Sequence, residues 1–268
     1  MNSPLHRCVA AASFTGLALL SQTVLAQSFD AVRLQRTAPG QDMGVVGFVV
    51  LSGPAYAGSD KRRETALPVL DYQWANGWFA GVSNGIGINF SSNPQMRYGL
   101  RVTADFGRKE SRADGLRGMG DIDAKAEGGA FFNLALSDEW QATSSLRYGA
   151  GTGGSGLVAN VGLTFATALT PQWRIGASAG LSAVNADYMQ TIFGIDASQA
   201  ARSGYASYTP GSGWRDARAS VSLTYGIDPR SAFTAVTEFN RLLGDAADSP
   251  LTRRRDVASA ALIYTYAF

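Results

Sequence analysis

Apolar and polar residues alternate strictly along most of this chain, with no convincing helical period. In segment 122–136 the even positions carry Ile122, Ala124, Ala126, Gly128, Ala130, Phe132, Leu134 and Leu136, opposite Asp123, Lys125, Glu127 and Asn133. Segment 96–107 sets Met96, Tyr98, Leu100, Val102, Ala104 and Phe106 against Arg97, Arg101, Thr103 and Asp105. Segments 157–169, 173–183 and 217–227 repeat the pattern. A period of two places one row of side chains on each face of an extended strand. Many of these runs exceed the roughly 5–6 residues of a globular strand. They match the ~9–11 residues that a tilted strand needs to cross a bilayer.

The punctuation supports the same reading. Short turns fall at Asn76-Gly77, Asn93-Pro94, Ser137-Asp138-Glu139, Thr170-Pro171-Gln172 and Asp228-Pro229-Arg230, and longer polar loops at 108–121, 185–213 and 243–254. Candidate strands are 44–52, 64–75, 77–83, 86–92, 96–107, 122–136, 140–149, 156–169, 172–184, 214–227, 231–242 and 255–268. An even number brings both barrel termini to the periplasmic side, with short turns there and long loops outside. Segment 77–92 is split at Asn84-Gly85, a tight hairpin signal. One continuous strand there would break the parity. The expected fold is therefore all-β: a transmembrane antiparallel barrel of about 12 strands over 44–268. Trp140, Trp173 and Phe233 directly follow short turns, where an interfacial aromatic belt would lie.

Composition fits a lipid-facing surface. Only 16% of the residues are charged, against roughly 25% in soluble domains, and a net charge of +2 excludes a nucleic-acid binder driven by bulk charge. Residues 1–26 read as a secretory signal peptide, with Arg7 as the basic start, an apolar run from Val9 to Leu20 and a small-residue cleavage site at Val24-Leu25-Ala26. Residues 27–43 would then form a periplasmic tail. His6 and Cys8, the chain's single His and Cys, leave with the leader. The mature chain would have no His for a catalytic triad or zinc site and no disulfide, so neither enzymatic activity nor a cofactor is expected.

A soluble sandwich or lipocalin-like barrel also alternates. It accounts poorly for the C-terminus, where Tyr264, Tyr266 and Phe268 occupy alternate positions up to a terminal Phe. That pattern resembles the assembly signal read by the outer-membrane insertion machinery. The charges on the other face, among them Arg97, Arg101, Asp105, Asp123, Lys125 and Glu127, should project into one lumen with Arg147, Arg174, Arg218 and Glu238. Arg101 and Asp105 would lie near Lys125 and Glu127, and either a plugged interior or a narrow polar pore satisfies the pattern. Lys61-Arg62-Arg63 and Arg253-Arg254-Arg255 fall at the outward rim. Lipopolysaccharide phosphates are the anions available there, and a simply solvated charge run reads equally well. Two catalytic look-alikes fail on context. Gly151-Thr-Gly153-Gly-Ser-Gly156 precedes a strand rather than a helix, and Ser178 of Gly176-Ala-Ser178-Ala-Gly180 is mid-strand without a His partner. Asp121-Ile-Asp123 and Asp245-Ala-Ala-Asp248 lack full calcium-loop spacing and suit turn capping.

Several segments together resemble the MipA/OmpV family of outer-membrane proteins. They are Gly53-Pro-Ala-Tyr56-Ala-Gly58-Ser59-Asp60, Ala66-Leu-Pro68, Gly115-Leu-Arg-Gly118-Met-Gly120-Asp121-Ile-Asp123 and Asp187-Tyr-Met-Gln-Thr-Ile-Phe193-Gly194. The most specific is Leu243-Gly244-Asp245-Ala-Ala-Asp248-Ser249-Pro250. The resemblance implies an outer-membrane barrel of a Gram-negative cell. It also implies a scaffold that links a lytic murein transglycosylase to a penicillin-binding protein, or a porin-like barrel that affects permeability to small solutes or antibiotics. A scaffold would find its partners through the short turns and the tail, where Phe29, Val32 and Leu34 interleave with Arg33 and Arg36 in an extended segment suited to a partner's sheet edge. Replacing Tyr264, Tyr266 and Phe268 together with Ser is expected to strand the chain in the periplasm. Membrane fractionation checks this, and undiminished outer-membrane levels would refute the assembly-signal reading.

Overall fold

The computed structural model describes residues 41–268. The expected signal peptide, and the tail as far as residue 40, lie outside the described residues. The alternating segments form twelve strands in a closed antiparallel barrel. They are β1 (Met43–Pro54), β2 (Arg62–Gln73), β3 (Trp78–Gly81), β4 (Gly85–Asn89), β5 (Met96–Asp105) and β6 (Lys125–Ala135). After these come β7 (Trp140–Ala150), β8 (Gly156–Ala168), β9 (Trp173–Val184), β10 (Gly213–Gly226), β11 (Ser231–Leu242) and β12 (Asp256–Ala267). Each strand pairs with its neighbours in sequence, and β1 meets β12 from Val45↔Ala267 to Ser52↔Ala260, which closes the ring. A twelve-residue strand at ~3.3 Å per residue and a tilt of ~40° rises about 30 Å, the thickness of the hydrocarbon layer.

The rows expected to meet lipid face outward. Phe48, Leu100, Val102, Leu146, Val161, Val221, Phe239 and Leu262 are all exposed on the outer wall. So large an apolar band would drive aggregation in water and is stable only in lipid. At the short-turn end the wall turns aromatic: Trp140 packs on Phe165 at 4.9 Å between ring centroids, Trp173 on Tyr225 at 4.8 Å, and Phe233 on Tyr264 at 5.1 Å. Tyr264, Tyr266 and Phe268 lie on the outward row of the closing strand. Phe268 exchanges both backbone hydrogen bonds with Gly44, and its ring lies 6.3 Å from that of Tyr72.

Two features differ from the sequence reading. β6 begins at Lys125, so Ile122 and Asp123 belong to the loop before it; Ile122 makes an isolated bridge with Arg108 instead. The long loops are also folded, with helices α1 (Ala186–Phe193), α2 (Ala197–Ser203) and α3 (Gly244–Asp248). Their caps are legible in retrospect. Asn185 accepts the Tyr188 amide, Asp196 and Gln199 form a reciprocal capping box, and Gly204 ends α2 in the left-handed conformation.

The Asn84-Gly85 split holds: β3 and β4 are separate strands joined by a hairpin tip. Gly85 is there because its φ is +76° and a Cβ would lie 2.3 Å from the Val102 carbonyl oxygen. Gly85→Ala is expected to destabilise the barrel by about 1–2 kcal/mol. A lower temperature for conversion of the folded to the unfolded gel band checks this.

Candidate functional site

The lumen is divided lengthwise by chemistry. Val45, Val49, Val69, Val236, Ala261 and Ile263 build an apolar wall on β1, β2, β11 and β12. Across from it, β5 to β10 present polar side chains that bond to one another. Thr103 on β5 donates to Glu127 on β6 at 3.3 Å, and Arg147 on β7 donates to the same carboxylate. Further round, Asn160 donates to Ser145 at 3.3 Å and Ser182 donates to Asn160 at 2.6 Å. Arg218 binds Ser182 through one nitrogen and Asp216 through Nε at 2.6 Å. Asp216 also takes Arg215, whose other end donates to the Tyr188 hydroxyl of α1 at 2.7 Å. Ser178, the look-alike nucleophile, lies 2.6 Å from Ser220 as another member of this belt.

Each lumen charge read from the sequence can now be located. Arg101 is buried and donates to the Asn84 carbonyl at 3.4 Å, which ties it to the β3–β4 tip. Glu127 is 1% exposed and bound as described. Arg97 is inward, level with Asn133 of β6. Asp105 accepts the Gly107 amide at 3.0 Å, and Lys125, opposite it in register, reaches the Thr152 carbonyl instead. Asp123 is outside the lumen, exposed in its loop with Lys109 3.5 Å away. The expected proximity of Arg101 and Asp105 to Lys125 and Glu127 is thus present in register, and Arg147 is a further ionic neighbour that pairs with Glu127 from β7. Arg215 and Asp216 were not singled out by alternation. A β-bulge between Trp214 and Asp216 shifts the register and turns both inward. The one available signal was the acid flanked by two arginines.

The outer end is roofed by the loops. Met189 and Phe193 of α1 and Ala246 and Ala247 of α3 pack on Val158, Val184 and Leu242 at the strand ends. A second apolar cluster joins Met119, Ile195 and Leu251, and a third joins Ala55, Tyr56 and Leu116. The segment Gly244 to Pro250 works here as a clamp. Gly244 starts α3 at φ +47°, Asp245 accepts the Gly211 amide at 2.6 Å, and Asp248 holds Arg255 at 2.6 Å. Ser249 donates to the Phe193 carbonyl at 2.6 Å, and Pro250 follows in the turn. Elsewhere in the roof Arg108 donates to the Ile192 carbonyl at 2.9 Å, and burial pushes its pKa down to about 10. Glu110 accepts the amides of Gly118 and Gly120, which hold its carboxyl below the usual range.

The sequence profile of the family described as "MltA-interacting protein MipA" matches residues 46–268, the whole barrel from early β1 to the terminal Phe. The chain belongs to that family. It is an outer-membrane β-barrel protein, as its family, its closed wall and its apolar outer band require. Among curated proteins none matches the sequence. Among solved structures the chain is similar to the NanC porin, at 10% identity over 82% of this chain and 98% of that one, with a TM-score of 0.46. It is also similar to the COG4313 outer membrane channel from Pseudomonas putida F1, at 10% identity over 87% and 97% of the two chains and a TM-score of 0.44. OmpT of Vibrio cholerae matches at 6% identity over 87% and 99%, with a TM-score of 0.41.

The energetics of this MipA-family barrel should concentrate in the belt. Asp216→Ala would leave two buried guanidinium groups without their shared carboxylate, and is expected to cost about 3–5 kcal/mol. Arg117→Ala removes an exposed pair with Asp114 and should change nothing measurable. Urea midpoints of the purified barrel check the contrast.

Proposed function

We propose that this protein is a non-enzymatic outer-membrane anchor that holds a murein-cleaving transglycosylase at the inner face of the outer membrane, with a penicillin-binding protein as the further partner. The observation that carries the reading is the state of the lumen. Arg101, Glu127, Arg218 and Glu238 all face inward, yet each is at most 6% exposed. Water barely reaches these charges. Glu127 and Arg218 are bonded to neighbouring side chains and Arg101 to a backbone carbonyl, all under a packed roof, as suits a rigid support rather than an open conduit. Membership of a family described as MltA-interacting supports the same choice of partner.

The partner-facing end has limited surface: the turns between β2 and β3, β4 and β5, β6 and β7, β8 and β9, and β10 and β11, together with the tail before Met43. In this proposal the tail carries most of the affinity and the turns add weak contacts. A narrow channel is the second reading. It is favoured by Arg97, Arg147 and Arg174, which keep partial exposure along the polar side of the lumen.

The test is co-purification of the transglycosylase with the full-length barrel and with a variant lacking residues 28–40 but keeping the leader, paired with single-channel recording. The anchor reading expects retention by the full barrel, a sharp fall on truncation with insertion intact, and no stepwise conductance. Full retention by the truncated barrel would reduce the tail to a linker. Absence of any cell-wall enzyme, together with discrete conductance steps, would overturn the anchor in favour of the channel.

A further inference from the structure

Among the described residues the widest break in the strand pairing of the wall lies beside β2. β3 and β4 have only four and five residues, so the hairpin rises about 15 Å from the short-turn end and stops near the middle of the hydrocarbon layer. β2 and β3 pair only from Asp71↔Gly81 to Gln73↔Phe79, with one more bond from the Val82 amide to the Leu70 carbonyl at 2.9 Å. Above that point no described strand pairs with residues 62–69 of β2 on this side. On the far side β5 continues to Asp105, past its last partner in β4, Ile86↔Val102. At the ordinary strand spacing, the two strands missing between the edges of β2 and β5 correspond to a span of about 14 Å. The hairpin tip is the sill, fastened by Ser83, whose amide and hydroxyl both bond to Asp71. The loop between β5 and β6 is the lintel, reaching over to pack Leu116 on Tyr56.

The sequence is adapted to this edge. Leu70 offers its carbonyl toward β3, so by alternation Pro68, Ala66 and Glu64 turn their backbone groups to the gap. Pro68, which has no N–H to donate, stands where a donor would have no strand to meet. The remaining edge groups cannot face bare hydrocarbon, because an unsatisfied peptide group there costs several kcal/mol. The gap opens onto the apolar wall of the lumen. Leu67 lies opposite Val49, on the inward row, and is nevertheless 37% exposed. Above the gap sit Lys61 and Arg63, and burial, followed by the like charge of Arg63, holds the Arg112 guanidinium of the lintel below the usual arginine range. The Nε of Arg112 is buried with no hydrogen-bond partner among the described residues. Arg62 is committed elsewhere, donating to Ser52 and to the Ala258 carbonyl on the outer wall.

We propose that this gap is a lipid-binding side port, occupied by a phosphorylated, acylated lipid of the outer leaflet, with acyl chain against Leu67 and Val69 and phosphate at Lys61, Arg63 and Arg112. Both halves of the site match that class. The opening is at the depth of the outer-leaflet chains, its inner lining is apolar, and its upper rim gathers cations at headgroup height. Ester and amide groups of such a lipid supply the partners that the edge of β2 lacks.

The test places a photo-crosslinking residue at Leu67 of the full-length protein, with Ser222, inward on the fully paired β10, as the control. The protein is reconstituted in phosphatidylcholine bilayers containing labelled lipid A as the probe. Crosslinking to lipid A at position 67 and its absence at 222 is expected. Combining K61Q, R63Q and R112Q should lower the yield about tenfold, while K61R with R63K and R112K should keep it. Heat-modifiability on gels verifies that every variant is folded. Equal crosslinking at both positions, crosslinking only to phosphatidylcholine, indifference to the three cations, or a crosslink within the chain itself would each overturn the port.

Discussion

Every element of this protein depends on one constraint: in a bilayer each backbone N–H and C=O must find a partner inside the molecule. The ladder between β1 and β12 is where that constraint is met or lost, since without it two long strands would carry raw edges into lipid. Closure then dictates the rest. It forces an even antiparallel ring, sends one row of side chains to the membrane and the other to the lumen, and leaves the start of β1 and the end of β12 together at the short-turn side. The terminal carbonyl and amide of Phe268, exchanged with Gly44, are the last rung of that ladder.

The interior inverts the logic of a soluble domain. Most large apolar side chains lie outside, and the space within holds a half-ring of bonded polar groups, a strip of small aliphatic ones and the buried pair Phe79 and Phe131. Charges in such a setting are tolerable only when paired and hydrogen-bonded. Asp216 between Arg215 and Arg218, and Glu127 between Thr103 and Arg147, meet that condition. These contacts also brace strands that no central hydrophobic core holds apart. Tyr188 extends the brace into the roof, so lid and wall form one connected unit.

The two ends therefore differ in kind. The outer end spends its long loops on a folded cap clamped by the Gly244–Pro250 segment, while the inner end is bare turns and aromatic rings. The proposed anchor role would use this inner end as a rigid, membrane-fixed footing. Among the described residues the short β3–β4 hairpin is the main departure from full closure, and it is flanked by the features that would make the departure tolerable: a proline on the open edge, a fastened sill and cations above.

How much of this was legible in the chain depends on the range of the interaction. Alternation is a local property, so strand identity, the row that meets lipid, the turn positions and the hairpin at Asn84-Gly85 follow from neighbours in sequence. The family resemblance rests on loop residues that are also contiguous. The capping box at Asp196 and Gln199 was equally local, yet a search for long helical periods passes over helices of seven or eight residues. What sequence alone left open was set by contacts between residues far apart. The bulge that turns Arg215 and Asp216 inward appears only against the register of β9, and the roof exists only because residues from three loops share apolar clusters. The salt bridge from Glu127 to Arg147 was set by the register of β6 on β7, which places Arg147 opposite Gly129 and so diagonally across from Glu127. The gap beside β2 is invisible to periodicity, since a strand with an empty edge alternates like any other. Local patterning determined that the chain crosses the membrane as a barrel. Only the closed ring, by fixing which strands meet and how far, decided which charges pair, what covers the mouth and where the wall stays open.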